Sequence, residues 1–390
     1  MGNSHNQTPS ISSSVDIKLI SSLNNWIEDE ALQQLQKTAH LDGMVAVAGM
    51  PDLHPGRGYP VGAAFFSRRK IYPALVGNDI GCGMSLWCSS IKAHRANQDK
   101  LEKRLKGIEG PLDSHWLDEI AIAKKIKGIG LDSFDQSLGT IGGGNHFAEF
   151  QAIDDIVDPQ ALAELGIDDS QLLLLVHSGS RGLGQKILLR HIQRYNHTGI
   201  CESDVGFYEY LEQHNEAVRW AEVNREMIAR RFLKAVRSSG ECVLDINHNT
   251  VMAATINGEN GWLHRKGATP SDQGIVVIPG SRGDYSFLVQ PVAENTADSL
   301  FSLAHGAGRK WKRSDAKDRL YRRFKPKDLL RTSLGNRVIC SDKALLYEEA
   351  PEAYKACDQV IHSMEVFGLI RVVARLRPVL TFKTDGGCYK

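Results

Sequence analysis

Asp79 and Cys82 stand three residues apart in VGNDIGCGM, and three histidines recur in equally glycine-rich settings: His146 in GTIGGGNHF, His177 ending LLLLVH before SGSRG, and His248 in VLDINHN. A further histidine, His305, sits in LAHGAGRK. Imidazole and thiolate suit Zn, Mn, Fe, Co or Cu, whereas Mg and Ca prefer oxygen. One Asp, one Cys and three His make five donors, more than the four a tetrahedral zinc takes. A bridging thiolate would let five side chains hold two ions, roughly 3.5–4 Å apart as in two-metal phosphoryl-transfer sites. Each residue alone reads more simply as core, since a free Cys is among the most buried residue types and His is often buried too. It is the recurrence of one tight-turn setting that points to a metal site, because glycine permits close backbone approach there.

Length and composition fit an intracellular enzyme. The chain has 390 residues, 42% of them hydrophobic, enough for a sizeable core in one large domain or in two or three smaller ones. Its seven cysteines contain no CxxC; the closest pair is Cys82 and Cys88. That argues against a disulfide framework or zinc finger and for a reducing compartment. MGNSHNQTPSISSS lacks the basic and apolar regions of a signal peptide, and Asn6 stands where a myristoylation signal needs Ser or Thr. No apolar run approaches membrane-spanning length. The expectation is a soluble, cytoplasmic protein with no membrane partner.

Net charge is only +1, but it is unevenly spread. Between Arg309 and Lys327 ten Lys or Arg, including Lys312, Arg313, Arg322 and Arg323, face two acidic residues, Asp315 and Asp318, for a net +8. Trp311, Tyr321 and Phe324 are interleaved, as suits a surface that meets phosphates and stacks bases. Such a run by itself is usually a solvated helix face. Its start four residues past His305 favours an RNA-binding duty.

The elements that must position these residues read as mixed α and β. Helical patterns cover about Asn25–Thr38, Asp118–Lys127, Tyr208–Val236 and Tyr354–Leu376, and strand-like runs cover Gly43–Gly49, Met84–Ile91, Leu172–His177, Cys242–Ile246, Gly274–Ile278, Arg337–Cys340 and Val379–Lys383. The chemical motifs fall at strand ends or glycine-rich loops. Residues 1–15 and Lys310–Gly335 look mobile, and 16–390 reads as a single catalytic domain.

No GxxxxGK[ST] is present, so there is no P-loop, and GTIGGGNH is not a dinucleotide-binding turn. Lys383-Thr384-Asp385-Gly386 matches the KxDG of lysine-dependent polynucleotide ligases, but only seven residues follow Lys383, too few for their nucleotidyltransferase domain.

The motifs together resemble the RtcB family of GTP- and manganese-dependent RNA ligases. The resemblance runs from about Met50 to Lys383 and is carried by MPDLHPGRGYPVG, VGNDIGCGM, GTIGGGNHFAEF, HSGSRGLG, HRKGATP, IPGSRGDYS, HGAGR and EEAPEAYK, in the family's order. It implies an α+β fold with central β-sheets flanked by helices and the active site in a cleft. It also implies that Cys82, His146 and His177 hold one Mn²⁺, that Asp79, the shared Cys82 and His248 hold a second, and that His305 takes GMP from GTP. Asn145, Glu149, Ser281, Ser286, Ala307, Gly308, Arg309, Tyr354 and Lys383 match positions around the guanine nucleotide, and Arg181 matches a residue near RNA phosphates.

The implied reaction opens a 2′,3′-cyclic phosphate RNA end to a 3′-phosphate, activates it with GMP as RNA-ppG, and joins it to a 5′-hydroxyl end. Cleaved tRNA or rRNA is the expected substrate. Pro55 and Arg57 replace the more usual leucine and lysine, and Arg282 and Asp284 turn SMGT into SRGD, with a C-terminal extension after Lys383. These departures resemble a compact bacterial branch that accompanies a release-factor-like protein. A dinuclear phosphodiesterase or phosphatase would use the same metal donors without His305 as covalent carrier. A non-catalytic RNA-binding repair subunit would need only the basic run.

Overall fold

The computed structural model describes residues 15–130 and 134–383. The run QLLLLVHS forms the strand Gln171–Ser178, and Leu172 through Val176 are fully shielded from solvent. An unbroken apolar run suits a strand covered on both faces, because successive side chains point to opposite sides. Leu172, Leu174 and Val176 pack with Ile228, Ala229, Phe232 and Leu233 of the helix Gly206–Ala235. Leu173 and Leu175 pack with Leu244, Leu288 and Leu376 on the other side.

This strand is central in an eight-stranded sheet. Across the sheet run Val276–Ile278, Ser286–Pro291, Ile370–Phe382, Phe147–Ile156, Gln171–Ser178, Gly83–Lys92 and Gly240–Asn247, with Arg337–Ile339 parallel to the end of Ile370–Phe382. A five-stranded sheet takes the order Asp16–Leu19, Met44–His54, Val61–Ser67, Glu259–Lys266 and Asn249–Ile256. A single residue, His248, separates the edge strands Gly240–Asn247 and Asn249–Ile256 of the two sheets. The helix Asp29–Ala39 covers the smaller sheet through Leu35 against Val47 and Phe65. Sheets flanked by helices make this the α+β architecture expected.

Two expectations are corrected. The helix foreseen over Tyr354–Leu376 is confined to Cys357–Val366, and Ile370–Phe382 is a 13-residue strand. Gly368, at φ 66°, turns the chain, while the N–H groups of Phe367, Gly368 and Leu369 close onto the carbonyls of Ser363, Glu365 and Met364. The strand lies between two others, and register shifts along it interrupt the alternation of its apolar residues with Arg371, Arg375 and Arg377, which weakens the strand signal. The segment Lys310–Gly335, expected to be mobile, contains the helix Arg313–Tyr321 and a 3₁₀ turn Pro326–Leu330. Leu320 and Leu329 anchor them in a small core with Val338, Leu345 and Tyr347. Of the residues 1–15 foreseen as flexible, only Val15 lies among the described residues.

Candidate active site

Strand register gathers the candidate metal donors. Gly83 pairs with both Ser178 and Asn247, and Phe147 pairs with His177. Cys82 directly precedes Gly83, His146 precedes Phe147, His248 follows Asn247, and His177 is next to last in its own strand. All four therefore lie at the same end of four adjacent strands. Cys82 Sγ is 3.4 Å from His146 Nε2 and 3.2 Å from His177 Nε2. His248 packs its ring 5.2 Å from that of His177, and its backbone N–H donates to Cys82 O at 2.8 Å.

Asp79 reaches the same cluster, with Oδ2 2.7 Å from His146 Nε2. This contact joins residues that the family resemblance assigns to different ions; Cys82, between them, belongs to both sets. The Asp79 carboxylate lies against Gly179, where a Cβ would come within 2.3 Å of Oδ1. Glycine is required there for space. His146 Nδ1 is 3.1 Å from Ile141 O and His177 Nδ1 is 3.2 Å from Asn145 O. Those carbonyls accept from Nδ1–H, which leaves each Nε2 lone pair aimed at the cluster.

The donor set fits a transition-metal ion. The ligating atoms of Cys82, His146 and His177 all lie within 4.8 Å of one another, and Asp79 Oδ1 is buried without a hydrogen-bond partner. Burial, with the Asp79 charge beside it, pushes the Cys82 thiol up. A bound cation reverses that balance and favours the thiolate.

His305 is held in a fixed orientation. Its Nδ1 is 2.6 Å from Asp52 Oδ2, which also accepts from the His305 backbone N–H at 3.2 Å. With Nδ1–H donated to the carboxylate, the lone pair resides on Nε2. The His305 ring lies 4.8 Å from His248 and is stacked with His54 at 6.5 Å. Lys355 Nζ donates to Pro51 O at 2.8 Å and Leu53 O at 3.2 Å, fixing the backbone on both sides of Asp52. Sequence reasoning quoted MPDLHPG and passed over Asp52; the usable signal was an acidic residue in a Pro/Gly-flanked motif, as at Asp79.

Asp79, Cys82, His146, His177, His248 and His305 open onto one cavity of about 1120 Å³. Asn145, Glu149, Ser281, Ala307, Gly308, Arg309, Tyr354, Lys383 and Arg181 line it. Ser286 stands outside the lining, with its Oγ accepting from Gln151 Nε2 at 2.9 Å. Gln151 also donates to Glu149 Oε1 at 2.7 Å, and Thr381 donates to the other carboxylate oxygen. Burial raises the Glu149 carboxyl to about 7 despite those donors and the Lys383 charge. Burial lowers Lys383 to about 8, and its Nζ donates to Gly144 O at 2.9 Å.

A residue missed in the sequence, Glu349, organises the other wall. It accepts from Arg309 Nη1 and Arg313 Nε, both at 3.1 Å, and from the Tyr354 hydroxyl. Burial would raise its carboxyl, but Lys383, Arg309 and Arg313 outweigh burial and hold it below the usual value. Arg282 also lines the cavity and is buried. Its Nη2 donates to Leu346 O at 2.8 Å, while Nε and Nη1 lack hydrogen-bond partners. Asp284 accepts from the N–H of Cys357 at 2.8 Å and so caps the helix Cys357–Val366.

The basic run divides. Lys312 and Arg313 line the cavity, Lys312 also pairing with Glu30 at 2.8 Å. Arg322 and Arg323 are exposed and lie outside the lining, Arg323 stacking over Phe324. The helix Arg313–Tyr321 and the turn after it carry this end of the run away from the cavity. Phe324 and Trp311 pack against the small core there, whereas Tyr321 is exposed.

The family model described as tRNA-splicing ligase RtcB matches residues 34–128 and 118–384. RNA-splicing ligase RtcB2 of Escherichia coli is 53% identical over 368 residues, covering 94% of this chain and 96% of its own length. RNA-splicing ligase RtcB of Mycobacterium tuberculosis is 28% identical, covering 92% of this chain and 100% of its own length. tRNA-splicing ligase RtcB of Archaeoglobus fulgidus is 29% identical, covering 90% and 91%. Strand register, motif order and these matches agree, and the chain belongs to the RtcB family of RNA ligases.

Proposed function

We propose that this enzyme joins RNA bearing a 2′,3′-cyclic phosphate or 3′-phosphate end to a 5′-hydroxyl end, with GTP and Mn²⁺. The observation that carries the reading is His305, with Nδ1 held by buried Asp52, in one cavity with the cluster Cys82, His146 and His177 and with Asp79 and His248 beside it. Cys82, His146 and His177 would hold one ion, and Asp79, Cys82 and His248 the other. When bound, the ions supply Lewis-acid neutralisation of charge on phosphate oxygens.

His305 Nε2 attacks the α-phosphorus of GTP. The P–N bond forms, the bond to the bridging oxygen breaks, and pyrophosphate leaves. Asp52 keeps the proton on Nδ1 and stabilises the charge that develops on the ring. An oxygen of the RNA 3′-phosphate then displaces histidine from the GMP phosphorus, giving RNA-ppG. Finally the 5′-hydroxyl attacks the RNA phosphate, its proton goes to solvent, and GMP departs.

Asn145, Glu149, Ser281, Ala307, Gly308, Arg309, Tyr354 and Lys383 are the proposed nucleotide contacts. Ser286 would act from behind, through Gln151 and Glu149. An ionised Glu149 accepts from the N–H groups of guanine, and the cations on the facing wall suit a polyanion. Arg181, Lys312 and Arg313 are the proposed RNA-phosphate contacts at the cavity, with Arg322 and Arg323 meeting RNA beyond it. Cleaved tRNA or rRNA in the cytoplasm fits these ends. The release-factor-like companion rests on the motif departures alone. Among the described residues no helix is long and apolar enough to cross a membrane.

The test is to incubate the protein with Mn²⁺ and α-labelled GTP. Acid-labile label should stay on the wild type and be absent from His305→Ala. Absence of label from the wild type, or label placed on Lys383 by mass spectrometry, defeats the reading.

A further inference from the structure

Five proposed metal donors come from four segments that strand pairing aligns, and beyond that pairing their ends meet side chains packed behind the cluster. The helix Gly206–Ala235 passes behind the donor cluster and presents Asn224 and Arg225, both fully buried. Arg225 reaches three donor segments at once. Its Nη1 donates to Gly81 O at 2.8 Å, between Asp79 and Cys82, and to Ser178 O at 3.0 Å, next to His177. Its Nη2 donates to Asn247 Oδ1 at 2.7 Å, next to His248. Nε and Nη2 together grip Asp245 Oδ1, at 2.7 and 2.6 Å.

Asn224 joins the fourth segment. Its Oδ1 accepts from the Gly139 N–H at 2.9 Å, at the start of the loop that leads to His146, and its Nδ2 donates to Ser178 Oγ at 3.1 Å. Two consecutive residues of one rigid helix thus hold every segment that carries a proposed ligand, and neither offers an atom to a metal.

We infer that Asn224 and Arg225 form a clamp that positions the metal ligands and thereby sets metal affinity. This inference rests on the proposed metal site and adds positioning residues to it. A planar fork with several fixed donors is needed, because a carbonyl, a second carbonyl and a side-chain amide must be met in three directions. A lysine would keep the charge and lose that geometry. The carbonyls it grips lie in the turn before Cys82 and at a strand end, and the clamp adds side-chain donors to backbone bonds such as Gly81 N–H to Asn249 O and His248 N–H to Cys82 O.

The test uses Arg225→Lys, Asn224→Ala and, as a control, Arg265→Lys. Arg265 is equally buried but donates to Ser302 Oγ and Phe301 O, away from the donor segments. Mn²⁺ affinity is measured by calorimetry, and Co²⁺ substitution reports the thiolate–metal charge-transfer band, with circular dichroism and melting to select folded variants. The expected result is Mn²⁺ binding weakened about 10- to 100-fold by Arg225→Lys, a smaller loss in Asn224→Ala, an altered Co²⁺ band in both, and Arg265→Lys like the wild type. Should Arg225→Lys fail to fold, Asn224→Ala, which removes no charge, carries the test alone. Wild-type affinity and band in the folded clamp variants, or the same loss in Arg265→Lys, would overturn the clamp. A wild type that binds no metal would overturn the metal site itself and the clamp with it.

Discussion

At the scale of single residues, protonation decides much of the chemistry. Glu149 sits at about 7 because burial disfavours its charge, above the ordinary carboxyl value of about 4.3. An acid raised on folding binds its proton more tightly in the folded state, so its contribution to stability is greatest below the unfolded value and declines as pH rises through about 7. Nucleotide binding has the opposite sign if the carboxylate accepts from guanine. Guanylylation should therefore climb between about pH 6 and 8, and Glu149→Gln should be slow and flat over that range. A wild-type profile without an inflection near 7 would remove Glu149 from the guanine contacts. Asp52→Asn should slow label transfer by on the order of 10²–10⁴-fold while metal binding persists, since the carboxylate holds the His305 tautomer. Arg282→Met should stabilise the nucleotide-free protein by about 1–3 kcal/mol, because a buried guanidinium with Nε and Nη1 unpartnered is replaced by an apolar side chain. Unchanged or lowered melting would mean that those donors are already satisfied.

At the scale of elements, the strand ends carry the site. Titration with Mn²⁺ should find both ions weakened by Cys82→Ala, one mainly by His146→Ala and the other mainly by Asp79→Ala. Two undisturbed sites in Cys82→Ala would rule out a bridging thiolate. Gly179→Ala offers a test that replaces no ligand: its Cβ would lie 2.3 Å from Asp79 Oδ1 and push that carboxylate aside, so it should reproduce the metal defect of Asp79→Ala at a stability cost of about 1–3 kcal/mol. The helix Arg313–Tyr321 separates two duties within the basic run. Charge reversal at Arg322 and Arg323 should weaken RNA joining and its salt dependence while leaving self-guanylylation intact. Reversal at Arg313 should impair both, because Arg313 supports Glu349, which holds Arg309 and Tyr354.

For the whole molecule, the decisive property is that residues from two sheets and the loop walls converge on one cavity of about 1120 Å³. The expected outcome with GTP and Mn²⁺ is joining of a 2′,3′-cyclic phosphate or 3′-phosphate end to a 5′-hydroxyl, with no joining of 3′-hydroxyl to 5′-phosphate. Gel analysis of defined RNA pairs checks this. Joining of 5′-phosphate ends would overturn the reaction order, and hydrolysis without joining would point to a phosphodiesterase.

The sequence by itself determined the donor types, the motif order and the apolar strand-like run ending at His177. These are local signals: an apolar run, a glycine turn and a side chain of fixed chemistry survive as text. It also located His305 and the basic run, which lie four residues apart. Partnerships across long stretches of chain were decided only by the tertiary structure. Asp52 meets His305 across 253 residues, and Arg225 meets Gly81 across 144. Glu349, an acidic residue two positions before Pro351, gained its role only when folding surrounded it with Arg309, Arg313 and Lys383. In the strand Ile370–Phe382 the part up to Leu376 was misread as helix while Val379–Lys383 was read as strand, and the bulges that break its alternation come from pairing with Ser286–Pro291 and Phe147–Ile156, partners distant in sequence.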